Sequence, residues 1–396
     1  MALTDDKFRT AHLHPSDLHA LVRVATDAAE GVVDLVESMH MNIVPPPKAL
    51  GRAAAIAPLT YRAIRGATRL VGGGAEMTLA QVGEILGRRE ESPQRRAVLA
   101  LLNGLWGDYL EETNSPLALP MSFRYGDKAL APPRRKIAVL VHGLCMNDSG
   151  WERGSGPTAH DHGAALAHDL GYSPVYLNYN SGLHISTNGR ALAVMLQALV
   201  DVWPAPVEEM VIIGHSMGGL VARSACFYGD LAGHDWLSPL RALVFLGSPH
   251  HGASLERRGN WLNVLMDASP YTAPVSRMGK RRSAGITDLR YGSLVDEDWA
   301  GRDRFAPGPD LRCHVPAPRG ARTYAIAATL GKATDSPAAR LLGDGLVPLD
   351  SALGRHPNAD RCLSFDESNS WIGYGMNHLD LLGRAEVYER LAGWLA

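Results

Sequence analysis

The sequence feature that most constrains the fold of this chain is a glycine-flanked serine between a strand pattern and a helical pattern. The pentapeptide Gly214–Gly218 follows the apolar run Glu209–Ile213 and leads into Gly219–Arg223, which begins like a helix. A Gly-x-Ser-x-Gly turn in that setting is typical of a strained strand-to-helix elbow, which exposes the serine hydroxyl. The sequence therefore predicts that Ser216 is a nucleophile. The alternative is a glycine-rich turn without catalytic function.

The composition fits a globular chain of more than one structural unit. The 396 residues exceed the usual size of a single domain, and 46% of them are hydrophobic against 20% charged. The formal net charge is −2, with acidic and basic residues interspersed, so no nucleic-acid partner is expected.

The N-terminal residues, the absence of a long apolar run and the cysteines predict a cytoplasmic location. The segment Met1–Lys7 is polar and acidic, unlike a signal peptide, and no run of about 20 apolar residues suggests a membrane span. The four cysteines lie far apart and form no Cys-x-x-Cys pair. They predict free thiols in a reducing compartment, while a Cys313–Cys362 bridge stays open.

The hydrophobic patterning divides the chain into two regions. Residues 1–125 form a predicted N-terminal helical region, in which no strand pattern is found, with apolar residues at helical spacing after Pro15, after Ala49 and after Pro93. Residues 126–396 form the predicted catalytic domain. From Pro132 onward, apolar β-rich runs alternate with helical ones, which indicates an α/β fold with a mostly parallel sheet and helices on both faces.

The predicted strands are Ile137–Val141, Val175–Tyr179, Met210–Ile213, Ala242–Leu246, Arg322–Ala328 and Arg361–Phe365. The predicted helices are His160–Leu170, Asn188–Trp203, Met217–Tyr228 and Leu379–Leu395. Residues 254–318 interrupt this alternation with a long stretch dense in Gly, Pro and Arg. Such an insertion suits a cap or lid over a site.

A serine nucleophile needs a histidine base and a carboxylate that orients the base. In the chain order typical of this elbow, the acid follows a late strand and the histidine follows the last one. Asp344, flanked by two glycines, and His378, just before the final helix, occupy those places. A turn-capping role for Asp344 is the alternative. The competing candidates are Asp350, Asp366 and His356, although His356 precedes the last predicted strand.

Two backbone N–H groups are expected to form an oxyanion hole. One belongs to Met217, directly after the nucleophile, and the other to Leu144, in the loop after the first clear strand. Within that loop, His142 and Gly143 are predicted to shape the turn. His215 and His250 are predicted to give supporting hydrogen bonds near the nucleophile.

The block Gly247–Gly252 contains two adjacent histidines, His250 and His251, which invite a metal interpretation. Consecutive side chains on a strand-to-loop turn point apart, and no cysteine or carboxylate cluster accompanies them, so loop-shaping hydrogen bonds are favoured. We expect no metal and no cofactor. Ser248 rivals Ser216 as a nucleophile only if the elbow prediction fails.

Together these motifs resemble the α/β-hydrolase superfamily and, within it, bacterial lipases and esterases of the PGAP1-like group. The blocks that carry the resemblance are His142–Gly143, Gly214–Gly219, Gly247–Gly252, Gly343–Pro348 and Asn377–His378. The likeness covers roughly residues 130–396. It implies a Ser216–Asp344–His378 triad, hydrolysis of carboxylic esters through an acyl-enzyme, and a lid over 254–318.

Three other functions stay open: an acyltransferase, an amide-cleaving hydrolase with the same triad, and a non-catalytic lipid-binding module. The expected partner is an ester or lipid-like small molecule. The N-terminal helices either contact a membrane or lipid surface peripherally or pack on the neighbouring domain. The sequence leaves the oligomeric state open.

Overall fold

A computed structural model of the chain describes residues 93–125, 133–154, 159–253, 282–306, 308–332, 337–363 and 365–396. The helices predicted before residue 93 and the apolar first half of the predicted cap, residues 254–281, lie outside the described residues.

One mixed sheet organises the described residues. Its strands are β1 Ser122–Tyr125, β2 Lys136–Val141, β3 Ser173–Asn178, β4 Glu209–His215, β5 Leu240–Leu246, β6 Arg322–Thr329 and β7 Ser370–Tyr374. They form a seven-stranded sheet in the order β1-β3-β2-β4-β5-β6-β7. Only β1 runs antiparallel to its neighbour, and the other pairs are parallel. The predicted mostly parallel α/β sheet is confirmed.

Helices cover both faces of this sheet. They are α1 Pro93–Glu112, α2 His162–Asp169, α3 Ile185–Val202, α4 Met217–Ala232, α5 Ala284–Asp288, α6 Pro337–Leu342, α7 Leu349–Ala352 and α8 Ala385–Leu395. Successive strand residues point to opposite faces. On β2, Val139 belongs to the core shared with α3 and α4, whereas Leu140 belongs to the core shared with α2 and α8. None of the helices in the described part of the chain is long and apolar enough to cross a bilayer.

The predicted strand Arg361–Phe365 is wrong. A 3₁₀ turn at Ala359–Arg361 includes the first residue of this run, and Leu363 packs against Gly354, to whose carbonyl its N–H donates at 2.8 Å. The last strand is β7, nine residues further on, which pairs with β6 from Ala325 to Thr329. Phe365 packs against the core, and the described residues of this run belong to no strand of the sheet.

Residues 93–125 share the core of the sheet, although the sequence assigned them to the N-terminal helical region. Leu101 and Leu105 of α1 lie in the same hydrophobic core as β2, α3 and α4. The strand β1, where no strand was expected, pairs with β3 in register from Ser122 opposite Asn178. Four residues are too few to establish a period of two, which is why the pattern gave no signal. A separate N-terminal unit stays a prediction for residues 1–92.

The described half of the predicted cap packs into the body of the protein. Ile286, Leu289, Leu294, Val295 and Val315 are all at most 4% exposed and belong to the core shared with α3 and α4. A movable lid would cover the protein without being part of its hydrophobic core. These five side chains are part of that core, so the segment that carries them cannot lift off without breaking it. A lid therefore stays a prediction for residues 254–281 alone.

Candidate active site

The turn between β4 and α4 has the strained backbone that the elbow pattern predicts. Ser216 has φ 53° and ψ −126°, a region that non-glycine residues occupy at a cost of about 1–3 kcal/mol. Its N–H donates to the carbonyl of Leu246 on β5 at 2.8 Å. A Cβ placed on Gly214 would lie 2.5 Å from the nitrogen of Gly219. The glycines are therefore required by the close approach of strand and helix.

The loop after β2 lies directly against this turn. A Cβ added to Gly143 would lie 3.0 Å from the Cβ of Ser216, and one added to Gly218 would lie 2.5 Å from the carbonyl oxygen of His142. The loop that carries Leu144 thus faces the serine, because neither glycine holds a side chain between them.

Asp344 and His378 meet in the loops that follow β6 and β7. The Nδ1 of His378 lies 2.6 Å from Oδ2 of Asp344, and the N–H of His378 donates to the Asp344 carbonyl at 3.1 Å. The other carboxylate oxygen, Oδ1, accepts the N–H groups of Leu346 and Val347 at 3.0 and 2.8 Å. Both side chains are at most 5% exposed. Since a carboxylate only accepts, Nδ1 carries the proton and Nε2 is left as the basic nitrogen.

Two contacts connect this pair to the serine turn. Gly247 has φ +60°, and a Cβ there would lie 3.2 Å from Oδ2 of Asp344 and 3.2 Å from Cε1 of His378. His215, the residue before Ser216, places Nε2 3.1 Å from the His378 carbonyl oxygen, and the two imidazole rings are 4.7 Å apart. The structure therefore brings Ser216, Asp344 and His378 to one edge of the sheet, at the carboxyl ends of its parallel strands.

The N–H groups of Leu144 and Met217 have no acceptor among the described residues. Their neighbours differ: the N–H of Cys145 donates to Oγ of Ser181 at 3.1 Å, and that of Ser216 donates to Leu246. Two unengaged donors beside the serine are what stabilisation of an oxyanion requires.

The buried histidines around the serine are held neutral. Burial lowers the pKa of His142 to about 4. Burial, followed by the nearby His378, holds the pKa of His215 well below its ordinary value. The Nδ1–H of His142 donates to the Gly143 carbonyl at 2.8 Å, and its ring stacks on Tyr179 at 4.3 Å. His142 and His215 thus act as neutral hydrogen-bond donors that fix the two loops.

His250 and His251 make different contacts. The Nδ1 of His250 lies 3.3 Å from NH1 of the buried Arg223, and burial followed by this cation holds the pKa of His250 well below its ordinary value. The N–H of His251 donates to Oγ of Ser351, at 3.0 Å. The described residues contain no group of three or more side chains positioned to hold a metal ion.

The competing candidates lie in other environments. Ser248 is fully buried with its Oγ 3.5 Å from the Gly214 carbonyl oxygen. Asp350 pairs with Arg340 at 2.8 Å on the surface. His356 packs against His251, and its Nδ1 accepts the N–H of Asn358 at 3.0 Å.

Three residues that support the site are not predicted from the sequence. The sequence motifs place Gly247 only in a loop block, and its position directly after an apolar strand and before a serine-proline pair is the signal that could identify it. Tyr179 donates its hydroxyl to the His142 carbonyl at 2.8 Å, and Ser181 accepts from Cys145. Nothing in the sequence connects Tyr179 or Ser181 to a loop about 36 residues earlier, so only the fold reveals them.

Residues 138–308 match the PGAP1-like alpha/beta domain family. A comparison with curated proteins finds no match. Among solved structures, the chain is similar to Bacillus licheniformis lipase BlEst2 in mature form, with 17% identity over 69% of this chain and 98% of that one, and a TM-score of 0.44. It is also similar to Aspergillus fumigatus lipase B, with 12% identity over 94% and 83% of the two chains and a TM-score of 0.42.

A third similar structure is the Pyrococcus furiosus esterase Pf2001, with 13% identity over 69% and 84% of the two chains and a TM-score of 0.39. The family match and the elbow-bearing parallel sheet together show that the chain has an α/β-hydrolase fold and contains a PGAP1-like α/β domain.

Proposed function

We propose that this protein is a serine hydrolase that cleaves carboxylic esters through an acyl-enzyme. Ser216 is the nucleophile, His378 is the general base and acid, and Asp344 orients the histidine. The N–H groups of Leu144 and Met217 form the oxyanion hole.

The buried hydrogen bond between Asp344 and His378 carries this proposal. At 2.6 Å it fixes the proton on Nδ1 and leaves Nε2 to accept a proton. An Asp–His pair of structural origin would need no strained serine beside it. Here Gly247 leaves no room for a Cβ beside the pair, and His215, the residue before Ser216, hydrogen-bonds the His378 backbone carbonyl. This combination of a base of fixed tautomer and a strained hydroxyl supports acyl transfer.

The reaction proceeds in two halves. Nε2 of His378 takes the Ser216 proton as Oγ bonds to the ester carbonyl carbon, and the carbonyl electrons move to its oxygen. The oxyanion then collapses, the bond to the alkoxy group breaks, and the alcohol leaves with the proton from His378. Water repeats the attack with His378 again as base, which releases the acid and restores Ser216.

Preorganised donors lower the barrier because they need no reorientation as charge develops on the carbonyl oxygen. The loss of one such donor costs about 3–4 kcal/mol, or roughly 10²–10³-fold in kcat. Leu144 lies in the loop after β2, and Met217 is the first residue of α4.

Ser216→Ala tests the proposal on the full chain. We expect hydrolysis of p-nitrophenyl butyrate to fall by about 10⁶-fold in kcat, because the nucleophile is removed. Labelling by a fluorophosphonate probe should be lost as well. The matched control is Ser368→Ala, an exposed serine whose Oγ donates to the adjacent Asn369, and this variant should keep the activity of the wild type. A folded Ser216→Ala protein that still hydrolyses the ester would overturn the assignment.

Two further measurements separate this function from its relatives. A series of p-nitrophenyl esters from acetate to palmitate measures the preferred acyl length, and the matching anilides detect amide cleavage. Added alcohol or thiol acceptors detect acyl transfer: an acyltransferase yields mostly the new ester or thioester, whereas a hydrolase yields mostly free acid.

A further inference from the structure

Cys145, directly after the proposed oxyanion donor Leu144, has a backbone that its residue type disfavours. Its φ is +59°, and the left-handed region costs a non-glycine residue about 1–2 kcal/mol. Such a conformation persists only where the surroundings over-determine it. The contacts that hold Cys145 therefore also hold Leu144, which is covalently bonded to it.

The helix α1 lies directly against Cys145. A Cβ added to Gly104 would lie 2.9 Å from both Cα and N of Cys145 and closer still to its Sγ. The helix backbone thus lies against the loop backbone with no side chain between them. The helical geometry of α1 breaks at Trp106, with φ −137°, so the helix bends just beyond this contact.

The loop after β3 is hydrogen-bonded to Cys145. Oγ of Ser181, which is 1% exposed, accepts the Cys145 N–H at 3.1 Å. This loop is itself attached to α1, because Nδ2 of Asn180 donates to the Gly107 carbonyl at 2.9 Å. Helix, loop after β3 and loop after β2 therefore form one closed set of contacts around Cys145.

The far end of the loop after β2 is fixed by the same N-terminal residues. Asp148 is 3% exposed and pairs with Arg124 of β1, and its Oδ2 lies 3.5 Å from NH1 of Arg96 on α1. A buried carboxylate of this kind needs its cationic partners. The loop from Leu144 to Asp148 is thus held at both ends by residues 93–125.

We propose that α1 is a positioning element for the oxyanion hole, in which Gly104 and Cys145 set the direction of the Leu144 N–H. Helix and strand β1 both precede residue 138, where the family match begins. A segment outside the matched domain therefore completes its site. This inference rests on the proposed function, since it assigns the residues that orient one of its donors.

Gly104→Ala is the direct test, measured on the full chain. The added methyl displaces Cys145, and since a misplacement of about 1 Å can cost roughly 10²-fold, we expect kcat to fall by about 10²-fold. KM should change by less than about twofold, because the donor acts on the transition state. The Ki of a trifluoromethyl ketone, which forms a tetrahedral oxyanion on the serine, should rise by the factor by which kcat/KM falls.

The matched control is Gly393→Ala. This glycine also lies in a helix, α8, but its added Cβ would have no neighbour within 4 Å. Activity and Ki should equal those of the wild type. In the double variant Gly104→Ala/Cys145→Gly, the nearest clashing atom is gone and φ +59° is no longer disfavoured. We expect it to recover at least about tenfold of the lost kcat.

The results separate this inference from the proposed function. If the wild type hydrolyses esters and Ser216→Ala does not, the function stands whatever Gly104→Ala does. A folded Gly104→Ala protein with unchanged kcat and Ki refutes the positioning role. So does one whose loss lies in KM with Ki unchanged.

If Gly104→Ala does not fold, Ser181→Ala serves as the second variant. It removes the acceptor of the Cys145 N–H without adding volume, and it should give the same kcat-specific loss, about tenfold, with a parallel rise in Ki. An unchanged Ki in Ser181→Ala would then refute the inference.

Discussion

Replacement of Asp344 by Asn is predicted to invert the tautomer of His378 while the fold survives. Oδ1 accepts two backbone N–H groups, from Leu346 and Val347, so the amide oxygen of Asn must occupy that position. The amide nitrogen then occupies the position of Oδ2, 2.6 Å from Nδ1 of His378. Because it donates, Nδ1 must become the acceptor, and the proton moves to Nε2. An Nε2–H cannot take the proton of Ser216.

The expected loss is about 10⁴-fold in kcat, the size found when a triad carboxylate is made an amide. At about 1.4 kcal/mol per factor of ten, this equals roughly 5.5 kcal/mol of barrier. Stability should fall far less, since two of the three hydrogen bonds at the side chain are kept and the third is re-formed in the opposite direction, so that no buried group is left without a partner, which would cost about 1–3 kcal/mol per group. Asp344→Ala, by contrast, leaves three buried donors without an acceptor, at about 1–3 kcal/mol each.

The assay combines kcat for p-nitrophenyl butyrate with urea unfolding of each variant. Asp350→Asn is the matched control, because that carboxylate is 45% exposed and contacts only surface arginines. It should keep kcat within about twofold, as expected of an exposed pair worth about 0–1 kcal/mol. A folded Asp344→Asn protein with kcat within tenfold of the wild type would refute the tautomer argument, as would an equal loss in Asp350→Asn.

Two further predictions concern a glycine and the buried histidines. Gly247→Ala and Gly301→Ala both place a side chain at positive φ, +60° and +72°, and both should lose the roughly 1–2 kcal/mol of stability that this backbone conformation costs. Only the Cβ at Gly247 would meet Asp344 and His378, so only that variant should lose about 10²-fold in kcat; equal activities would contradict the contact. Burial lowers the pKa of His142, His162 and His251 to about 4, below the value of about 6.5 in an unfolded chain. The unfolded state then binds more protons between these values, so the free energy of unfolding should decrease as pH falls from about 6.5 towards 4, by up to about 1.4 kcal/mol per pH unit for each histidine. Urea unfolding at several pH values measures this slope, which His162→Gln should reduce; a slope unchanged in His162→Gln would contradict the argument.

The chain order of strand, glycine-flanked serine and helix predicts the strand-to-helix elbow and the parallel sheet that carries it. Local rules suffice there: an apolar β-rich run predicts a buried parallel strand, and only glycine permits the close approach at Gly214. The order of motifs also predicted that Asp344 and His378 would meet, because the carboxyl ends of parallel strands lie at one edge of a sheet.

Other features depend on distant contacts that no local pattern contains. Arg361–Phe365 has the composition of a strand, yet the residues that pair with β6 are those of β7. Which segment pairs with β6 depends on which one lies alongside it in the fold, and the composition of a segment does not contain that information. The described half of the predicted cap is dense in Gly, Pro and Arg, but five of its apolar side chains complete the core beside α3 and α4.

The sequence by itself therefore determined the identity of the proposed nucleophile, base and acid, and the class of fold that carries them. Tertiary structure alone decided that β1 completes the sheet, that a side chain at Gly247 would meet the Asp–His pair, and that Gly104 faces Cys145. The physical reason is one of range. Strand and helix periods and turn conformations are set by residues within a few positions, whereas the direction of the Leu144 N–H depends on a helix about 40 residues earlier.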